Sequence, residues 1–346
     1  MPNLYKRGRL YWARFKVAGQ EYRGSLRTSV LADAERRLKA WRKEVEDEVR
    51  FGIAPPQTWS ATVLSWNAHA TSDLNPKTHK RYLVSLKQVR PWLDGLDLRK
   101  INAAKLRELI KARRQLGVTN ATIKRDLTAI SSVLDYAIDE GWADENPTLT
   151  VRHRRLKESR EPITLPDDEE IEMMKAASTP RFADAIDFAR ETGMRESEIF
   201  GLTWKQLKTD DVPIVGKRNR LRVVPLSAKA RGIAERQARH IKQPYVFWHG
   251  EDGARWTSPA SRFGNIRRKV AKKAQKAAQP FVGFRFHDLR HLYAVEYLRR
   301  RKGSLYDLQQ LLGHTSIKTT EIYLEHLTPE QKMAAMHGET QKAAQV

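Results

Sequence analysis

Tyr323 lies nine residues after His314 in the segment LLGHTSIKTTEIYLEH, and the upstream segment FRFHDLRH holds His287 and Arg290. A hydroxyl nucleophile, two imidazoles and a guanidinium therefore fall within a short span of a strongly basic chain. A phenol loses its proton only near pH ~10, so at neutral pH it attacks poorly unless neighbours assist. An anionic phosphodiester adds repulsion, and cations must neutralise its oxygens before an oxygen nucleophile can displace one of them. The residue types are those such a displacement needs.

Further candidates precede them. The segment ETGMRESE sets Arg195 three residues before Glu198, and Lys217 follows Gly216 in a polar stretch between two apolar runs. A guanidinium stays charged at any relevant pH and donates two parallel hydrogen bonds, so Arg195 and Arg290 suit the non-bridging oxygens of a five-coordinate phosphorus. The leaving alkoxide oxygen of a phosphodiester is a stronger base than phenolate and requires a general acid, for which Lys217 is the candidate. His287 suits acceptance of the phenol proton or orientation of the phosphate, and His314 a hydrogen bond to a phosphate oxygen. Glu198, three residues beyond Arg195, reads as a simple ion pair on a shared helical face. His291, directly after Arg290, reads as structural.

These residues need a scaffold, and the pattern supplies one in stages. Leu10–Val17 alternates apolar with polar or basic residues, a turn follows at Gly19-Gln20, and 31–50 has helical spacing through Leu38, Trp41 and Val45. A small sheet backed by a helix is expected over 1–55, its strands bearing Arg14 and Lys16. Consecutive prolines at 55 and 56 mark a boundary. Residues 58–150 read as a four-helix unit punctuated by Asn75-Pro76, Gly95, Gly117 and Thr119, with Asn146-Pro147 ending the last helix. Lys77, Lys80, Arg81, Lys124 and Arg125 are candidates for its DNA face, set against the plainer reading of solvated helix surfaces. A basic connector spans 151–161. Residues 162–335 read as a mixed α+β unit with a hairpin over 212–225 and helices over 258–278, 289–301 and 305–312. The tail is 336–346. The acidic run opening at Asp167 fits helix capping better than a metal site.

Composition narrows the class. The chain has 346 residues and a formal charge of +23, which points to a polyanionic partner, and nucleic acid is the commonest for such proteins. It has no cysteine, which excludes disulfides and thiolate metal sites. No apolar run is long enough to span a bilayer and no secretory signal is evident, so a cytoplasmic, nucleoid-associated protein is expected, without membrane partners.

The ordered set of ETGMRESE, Gly216-Lys217 with its hairpin, HDLR and LGH followed by Tyr323 closely resembles the tyrosine recombinase, or phage integrase, family over about residues 60–330. The resemblance implies a multidomain, mainly α fold with small β-sheets, comprising a helical core-DNA-binding unit and a mixed α+β catalytic domain. It implies cleavage through a 3′-phosphotyrosyl link at Tyr323, with Arg195, Lys217, His287, Arg290 and His314 assisting and Glu198 supporting the active-site cations. No metal or other cofactor is expected, since bond energy is kept in the covalent intermediate. Double-stranded DNA, a homotetramer on two duplexes, and DNA-bending or excision accessory proteins are the implied partners. Residues 1–55 resemble, less specifically, the arm-site-binding domain of integrases of phages and integrative elements, which implies integration or excision of a mobile element such as a prophage. In relatives the tail packs on a neighbouring subunit, a role open here to Met333, Ala334 and Ala335. A DNA-binding regulator that has lost catalysis and a relaxing topoisomerase are the rival readings.

Overall fold

The structure is a computed structural model and describes residues 3–51, 57–69, 72, 74–152, 156–157, 163–216 and 220–338. Contacts divide the chain into two units, Met1–Arg160 and Glu161–Val346. Helices predominate and the sheets are small and antiparallel, as the sequence pattern predicts.

The first unit opens with strands β1 (Asn3–Arg7), β2 (Leu10–Val17) and β3 (Gln20–Ser25), paired in that order, and helix α1 (Leu31–Phe51). The alternation along β2 sends Ala13 and Phe15 inward and Arg14 and Lys16 outward, because successive strand residues face opposite sides. Trp41 of α1 meets Phe15 edge-on at 4.7 Å. It lies so close over Gly24 that an added Cβ would sit 3.0 Å from its ring, which explains a glycine inside β3.

Four long helices follow: α2 (Trp59–His69), α3 (Pro76–Leu93), α4 (Ala103–Gln115) and α5 (Asn120–Asp139). Asn75, Asn102 and Thr119 cap the last three through their side-chain oxygens. Trp66, Leu106, Leu109, Ile123 and Leu127 fill the core between them. One punctuation mark works differently from the sequence reading. The last long helix stops at Asp139, with Gly141 left-handed at φ 71°, and Asn146-Pro147 instead opens a short helix α6 (Thr148–Arg152). The buried Asn146 amide donates to the Ser131 carbonyl at 3.2 Å and to Asp135 at 2.5 Å, tying that turn to α5.

Within this core Arg113 donates through Nε and Nη2 to Asp126 at 3.2 and 3.0 Å, both side chains nearly sealed from solvent. Removing one partner strands a buried charge, which costs about 3–5 kcal/mol. Asp126→Ala is therefore expected to lower unfolding free energy by that amount in urea titration, whereas the double replacement Arg113→Met, Asp126→Leu should recover most of it. Equal stability of Asp126→Ala and wild type would contradict this account.

The second unit comprises α7 (Asp168–Ala176), α8 (Pro180–Thr192), α9 (Glu196–Ile199), the hairpin β4 (Asp211–Val215) and β5 (Leu221–Pro225), and α10 (Ala228–Glu235). It continues with a two-residue hairpin, β6 (Trp248–His249) and β7 (Ala254–Arg255), then α11 (Pro259–Lys276), α12 (Asp288–Arg299) and α13 (Leu305–Leu312). A short α14 (Lys318–Glu321), a 3₁₀ turn (Ile322–His326) and α15 (Pro329–His337) close it. One apolar cluster gathers α7, α8, α10 and α11 around Phe182, Phe188, Phe200 and Phe263. A second gathers α12, α13 and the C-terminal segment around Leu298, Leu308 and Tyr323.

The acidic run at α7 is accounted for by backbone and charge partners. Asp167 caps the helix by accepting from Glu170 N at 2.7 Å, Asp168 pairs with Arg190 at 2.7 Å, and Glu170 accepts from Val282 N and Gly283 N, both at 2.8 Å. At the other end, Ala334 and Ala335 turn toward the unit's own core, where α15 lies against α12. Met333 and Met336 remain 57% and 59% exposed. The Met333–Ala335 stretch is thus split, and its alanines are already occupied. Lys217, together with Arg218 and Asn219 between β4 and β5 in the sequence, lies outside the described residues, as do the linker prolines, most of the 151–161 connector and the tail from 339.

Candidate active site

The site assembles where α8 ends, α12 begins and α13 ends. Gly193, left-handed at φ 62°, turns the chain out of α8, and a Cβ there would sit 2.3 Å from the Tyr293 ring, so only glycine makes this approach. Arg195 follows at the start of α9. Gly313, at φ 65°, ends α13 in the same way and delivers His314.

A helix C-terminus leaves carbonyls without intrahelical donors and carries partial negative charge. Three guanidiniums meet three consecutive carbonyls of α13 here. Arg222 Nε donates to Leu311 O at 2.9 Å, Arg290 Nη2 to Leu312 O at 2.5 Å and Arg195 Nη2 to Gly313 O at 3.0 Å. Arg290 also donates through Nη1 to Gly193 O at 2.7 Å and is only 2% exposed. One buried fork therefore joins the turn after α8 to the end of α13. Burial, with repulsion from Arg195 next, lowers the Arg290 pKa to about 9, which leaves it protonated at neutral pH.

Glu198 sits between two of these cations. Its carboxylate accepts from Arg195 N at 2.8 Å and Arg195 Nη1 at 3.1 Å, and from Arg222 Nη1 and Nη2 at 3.0 and 2.6 Å. Burial alone would raise its pKa, but the hydrogen bonds from Arg222 and Arg195 outweigh it and hold the carboxyl below its usual range. The contact with Arg195 comes from the turn entering α9, with the backbone N–H as a main donor, rather than from a shared face of a long helix. Arg222, which falls in the hairpin motif but to which the sequence reading gives no role, is the other half of the support. The signal for it in the sequence is a single arginine in the otherwise apolar strand LRVVP.

A stability test follows. A carboxylate depressed in the folded state stabilises fully above its unfolded pKa of about 4.3, and that contribution is lost as pH falls through the lower folded value. Glu198→Gln is expected to cost about 1–3 kcal/mol at pH 7, the worth of hydrogen bonds to a charged group. The stability curve should also flatten below about pH 4.3. Urea unfolding at several pH values measures both, and an unchanged acid limb would show that Glu198 carries no such charge.

The imidazoles are held neutral. His314 bridges Arg290 Nη2 at 3.3 Å and Thr320 Oγ1 at 3.0 Å, and burial followed by Arg290 and Arg195 pushes its pKa down to about 4. The Thr320 hydroxyl both donates and accepts, so either tautomer of His314 is satisfied at Nδ1. His287 stands at the N-terminal position before α12 without a side-chain capping hydrogen bond and is exposed, and desolvation followed by the Arg290 charge lowers its pKa. His291, one turn later, is pushed down to about 4 by burial and then by His287.

Tyr323 completes the cluster. It is 1% exposed, its ring lies 6.4 Å from that of His314, and burial raises its pKa against the opposing pull of Arg290 and Arg195. Its hydroxyl lies 3.0 Å from His291 Nδ1. The histidine that the sequence reading sets aside as structural is thus the one in contact with the phenol, while His287 meets His291 edge-on at 4.8 Å. An open cleft of about 1760 Å³ borders the site, lined by Arg195, Glu198, Arg222, Gly313 and His314 together with the β4–β5 hairpin and Tyr293. Tyr323 does not line it. The structure therefore brings together Arg195, Glu198, His287, Arg290, His314 and Tyr323, leaves Lys217 outside the described residues, and adds Arg222 and His291. In the first unit Arg14, Lys16, Lys77, Lys80, Arg81 and Arg125 are exposed and Lys124 half-buried; Arg14 pairs with Glu21 at 2.6 Å and Arg81 lies over the Tyr82 ring at 5.1 Å.

Comparisons with known proteins agree on one family. Residues 164–330 match the model of the phage integrase family, and 59–154 match that of the phage integrase central domain. The chain is 30% identical over 272 residues to tyrosine recombinase XerC of Mesorhizobium japonicum, covering 72% of this chain and 85% of that protein. It is 28% identical over 264 residues to tyrosine recombinase XerC of Pseudomonas fluorescens, covering 72% and 85%. In fold it is similar to lambda integrase in a tetramer bound to a Holliday junction, with a TM-score of 0.62 at 18% identity over 93% of this chain and 94% of the other. Lambda integrase residues 75–356, as a dimer bound to a core site, match with a TM-score of 0.62 at 19% identity over 77% of this chain and 95% of the other.

Proposed function

Since the chain belongs to the phage integrase family of tyrosine recombinases, enzymes of DNA strand breakage and rejoining, we propose that it integrates or excises a mobile element such as a prophage, with Tyr323 as nucleophile. The observation that carries the catalytic part is the convergence of Arg195, Arg290, His314 and Tyr323 around the end of α13. Arg195 and Arg290 hold the non-bridging oxygens of the scissile phosphate, and exchange part of their carbonyl contacts for them. His314 donates a hydrogen bond to the same phosphate, with Thr320 turning its hydroxyl to suit. Glu198 and Arg222 keep Arg195 aligned. Lys217, which follows Gly216 in the sequence, protonates the departing 5′ oxygen. The strand end is then held as a 3′-phosphotyrosyl ester, and the 5′ hydroxyl of a partner strand reverses the step. Tyr323 does not line the cleft, so DNA binding must open a path by which the phosphate reaches its hydroxyl.

The mobile-element role draws support from the first 55 residues. The two XerC proteins match 72% of this chain, whereas the lambda integrase chain of the tetramer matches 93% of it in fold and the form covering residues 75–356 matches 77%. The difference is consistent with an N-terminal arm-site-binding domain over 1–55, presenting Arg14 and Lys16. Residues 58–150 then form the core-DNA-binding domain, with Lys77, Lys80, Arg81, Lys124 and Arg125 toward the phosphates, and 162–335 the catalytic domain. The tetrameric lambda integrase supports a homotetramer here, and DNA-bending and excision factors are its natural accessories. The basic charge supports a location on the nucleoid in the cytoplasm; among the described residues no helix is long and apolar enough to cross a membrane.

The test is covalent capture. A duplex selected from random sequence by binding to the protein is nicked close to its centre, so that cleavage releases a short fragment and traps the adduct. Nuclease and trypsin digestion followed by mass spectrometry should yield a nucleotide linked through its 3′ phosphate to the peptide containing Tyr323. A 5′ linkage, another attachment residue or no adduct on bound DNA would overturn the reading.

A further inference from the structure

The motif residues supply a proton donor for the leaving group and clamps for the phosphate, and among them His287 is the candidate either to take the proton from the phenol or to orient the phosphate. Among the described residues, the imidazole within hydrogen-bond distance of Tyr323 Oη is that of His291, at 3.0 Å through Nδ1. His314 is ill placed for the task because its two nitrogens face Arg290 and Thr320. His287 touches His291 rather than the phenol.

We propose that His291 is the catalytic base that accepts the Tyr323 proton as attack on the phosphate begins. This deepens, and rests on, the reading of Tyr323 as nucleophile. The position is set by helix geometry: His291 follows His287 by four residues, so both project from one face of the first turns of α12, with Arg290 beside them. Base and phosphate clamp are therefore neighbours on one rigid element, facing the buried hydroxyl. In the step, the phenol O–H bond breaks and its proton moves to Nδ1 while the phenol oxygen forms its bond to phosphorus. The bond from phosphorus to the 5′ oxygen breaks, its electron pair leaves on that oxygen, and the general acid supplies a proton there. Rejoining runs the same transfers backward, and Nδ1 returns its proton to the departing phenolate.

The surroundings keep the Nδ1 lone pair available. The groups acting on His291 are His287, Asp288, Arg285 and Arg290 from α12 and the turn before it, and His314 and Tyr323 from the C-terminal segment. Burial comes first and the neighbouring cations and imidazoles add to it, so the ring is neutral at pH 7. Asp288 opposes them, but Arg285 holds its carboxylate, at 2.9 Å through Nη2. A neutral imidazole accepts the phenol hydrogen bond; an imidazolium has no lone pair to do so. A bound phosphate brings negative charge to Arg195 and Arg290, and this favours the imidazolium that forms as the proton arrives.

The experiment is single-turnover cleavage of the nicked suicide duplex by the full chain over about pH 6 to 10, for wild type, His291→Ala and His291→Asn. Near pH 7 both variants should be slower by about 10²–10⁴-fold, the usual worth of a positioned base. The gap should narrow as pH approaches the phenol's own ionisation, and added imidazole should restore part of the His291→Ala rate. Asparagine keeps a polar atom near the place of Nδ1 but no basicity, so it should be as slow as alanine. Replacing the leaving 5′ oxygen by sulfur, which departs without an acid, should leave the loss in place. Rates equal to or above wild type at every pH would overturn the proposal. So would a loss that is uniform with pH and not rescued by imidazole, which would make His291 only a seat for the phenol. Thermal unfolding and DNA binding check that the variants are folded, and His291→Asn carries the test if alanine does not fold. Absence of a Tyr323 adduct with wild-type protein would instead overturn the underlying assignment of the nucleophile.

Discussion

Tyr323→Phe is expected to bind DNA as wild type does and to form no covalent adduct, with cleavage falling to below about 10⁻⁴ of the wild-type rate. The substitution removes one oxygen from a ring that is 1% exposed and packed among apolar side chains, so the fold has little reason to change. Its structural cost is the hydrogen bond with His291, worth about 1 kcal/mol net. Its chemical cost is total, because no ester can form without the nucleophile. Denaturing electrophoresis of the nicked duplex reads adducts directly, and a binding titration on intact duplex gives the control. Adducts in the variant would shift the role to another tyrosine, and Tyr293 and Tyr297, which line the cleft, would be the first to examine. Tyr293 is a poor substitute, since burial pushes its pKa up to about 12.

Arg290 should come next in size. Arg290→Ala is expected to slow cleavage by about 10³–10⁵-fold, the range for a guanidinium that stabilises transferring phosphoryl charge. Arg290→Lys keeps the charge but loses the fork, so one ammonium cannot serve Gly193 O, Leu312 O and the phosphate together. The lysine variant should fall between alanine and wild type. Because the negative charge on the oxygens grows as the phosphorus becomes five-coordinate, the loss should appear in the single-turnover rate much more than in DNA affinity. Quenched-flow cleavage at saturating protein separates the two. Equal losses in affinity and rate would mean that Arg290 binds ground state and transition state alike. Alanine also leaves two buried carbonyls without their donor, so lower thermal stability is expected alongside; arginine to lysine tests the chemistry with less disturbance.

Much of this site is legible from one sequence. Arg195, His287, Arg290, His314 and Tyr323 stand out by their chemical types and by the ordered motifs shared with the tyrosine recombinase family, and glycines mark the turns next to Arg195 and His314 as local signals. Gly193 and Gly313 show why this works: a left-handed turn needs glycine wherever it occurs, so the residue announces the geometry. Reading failed where a partner came from a distant segment. Arg222 joins Glu198 from a strand 24 residues on, and only the packing of the β4–β5 hairpin against the end of α13 makes the two meet. Asn146 illustrates the same limit in the first unit. Asparagine before proline is a stop in the sequence, yet its amide is used to fasten a turn back onto α5.

The sequence by itself determined the chemical inventory: a phenol, permanent cations and titratable imidazoles, in an order and spacing that suit attack on a phosphodiester, carried by a basic and mainly helical chain. Those are properties of side chains and of near neighbours along the backbone, which a linear string contains in full. The tertiary structure decided which imidazole faces the phenol and which carbonyls hold the arginines. His287 and His291 lie on one face of the same helix and are equivalent by spacing, so the choice between them falls to the way the 3₁₀ turn bearing Tyr323 packs against α12. Proximity of that kind depends on the summed packing of segments far apart in the chain.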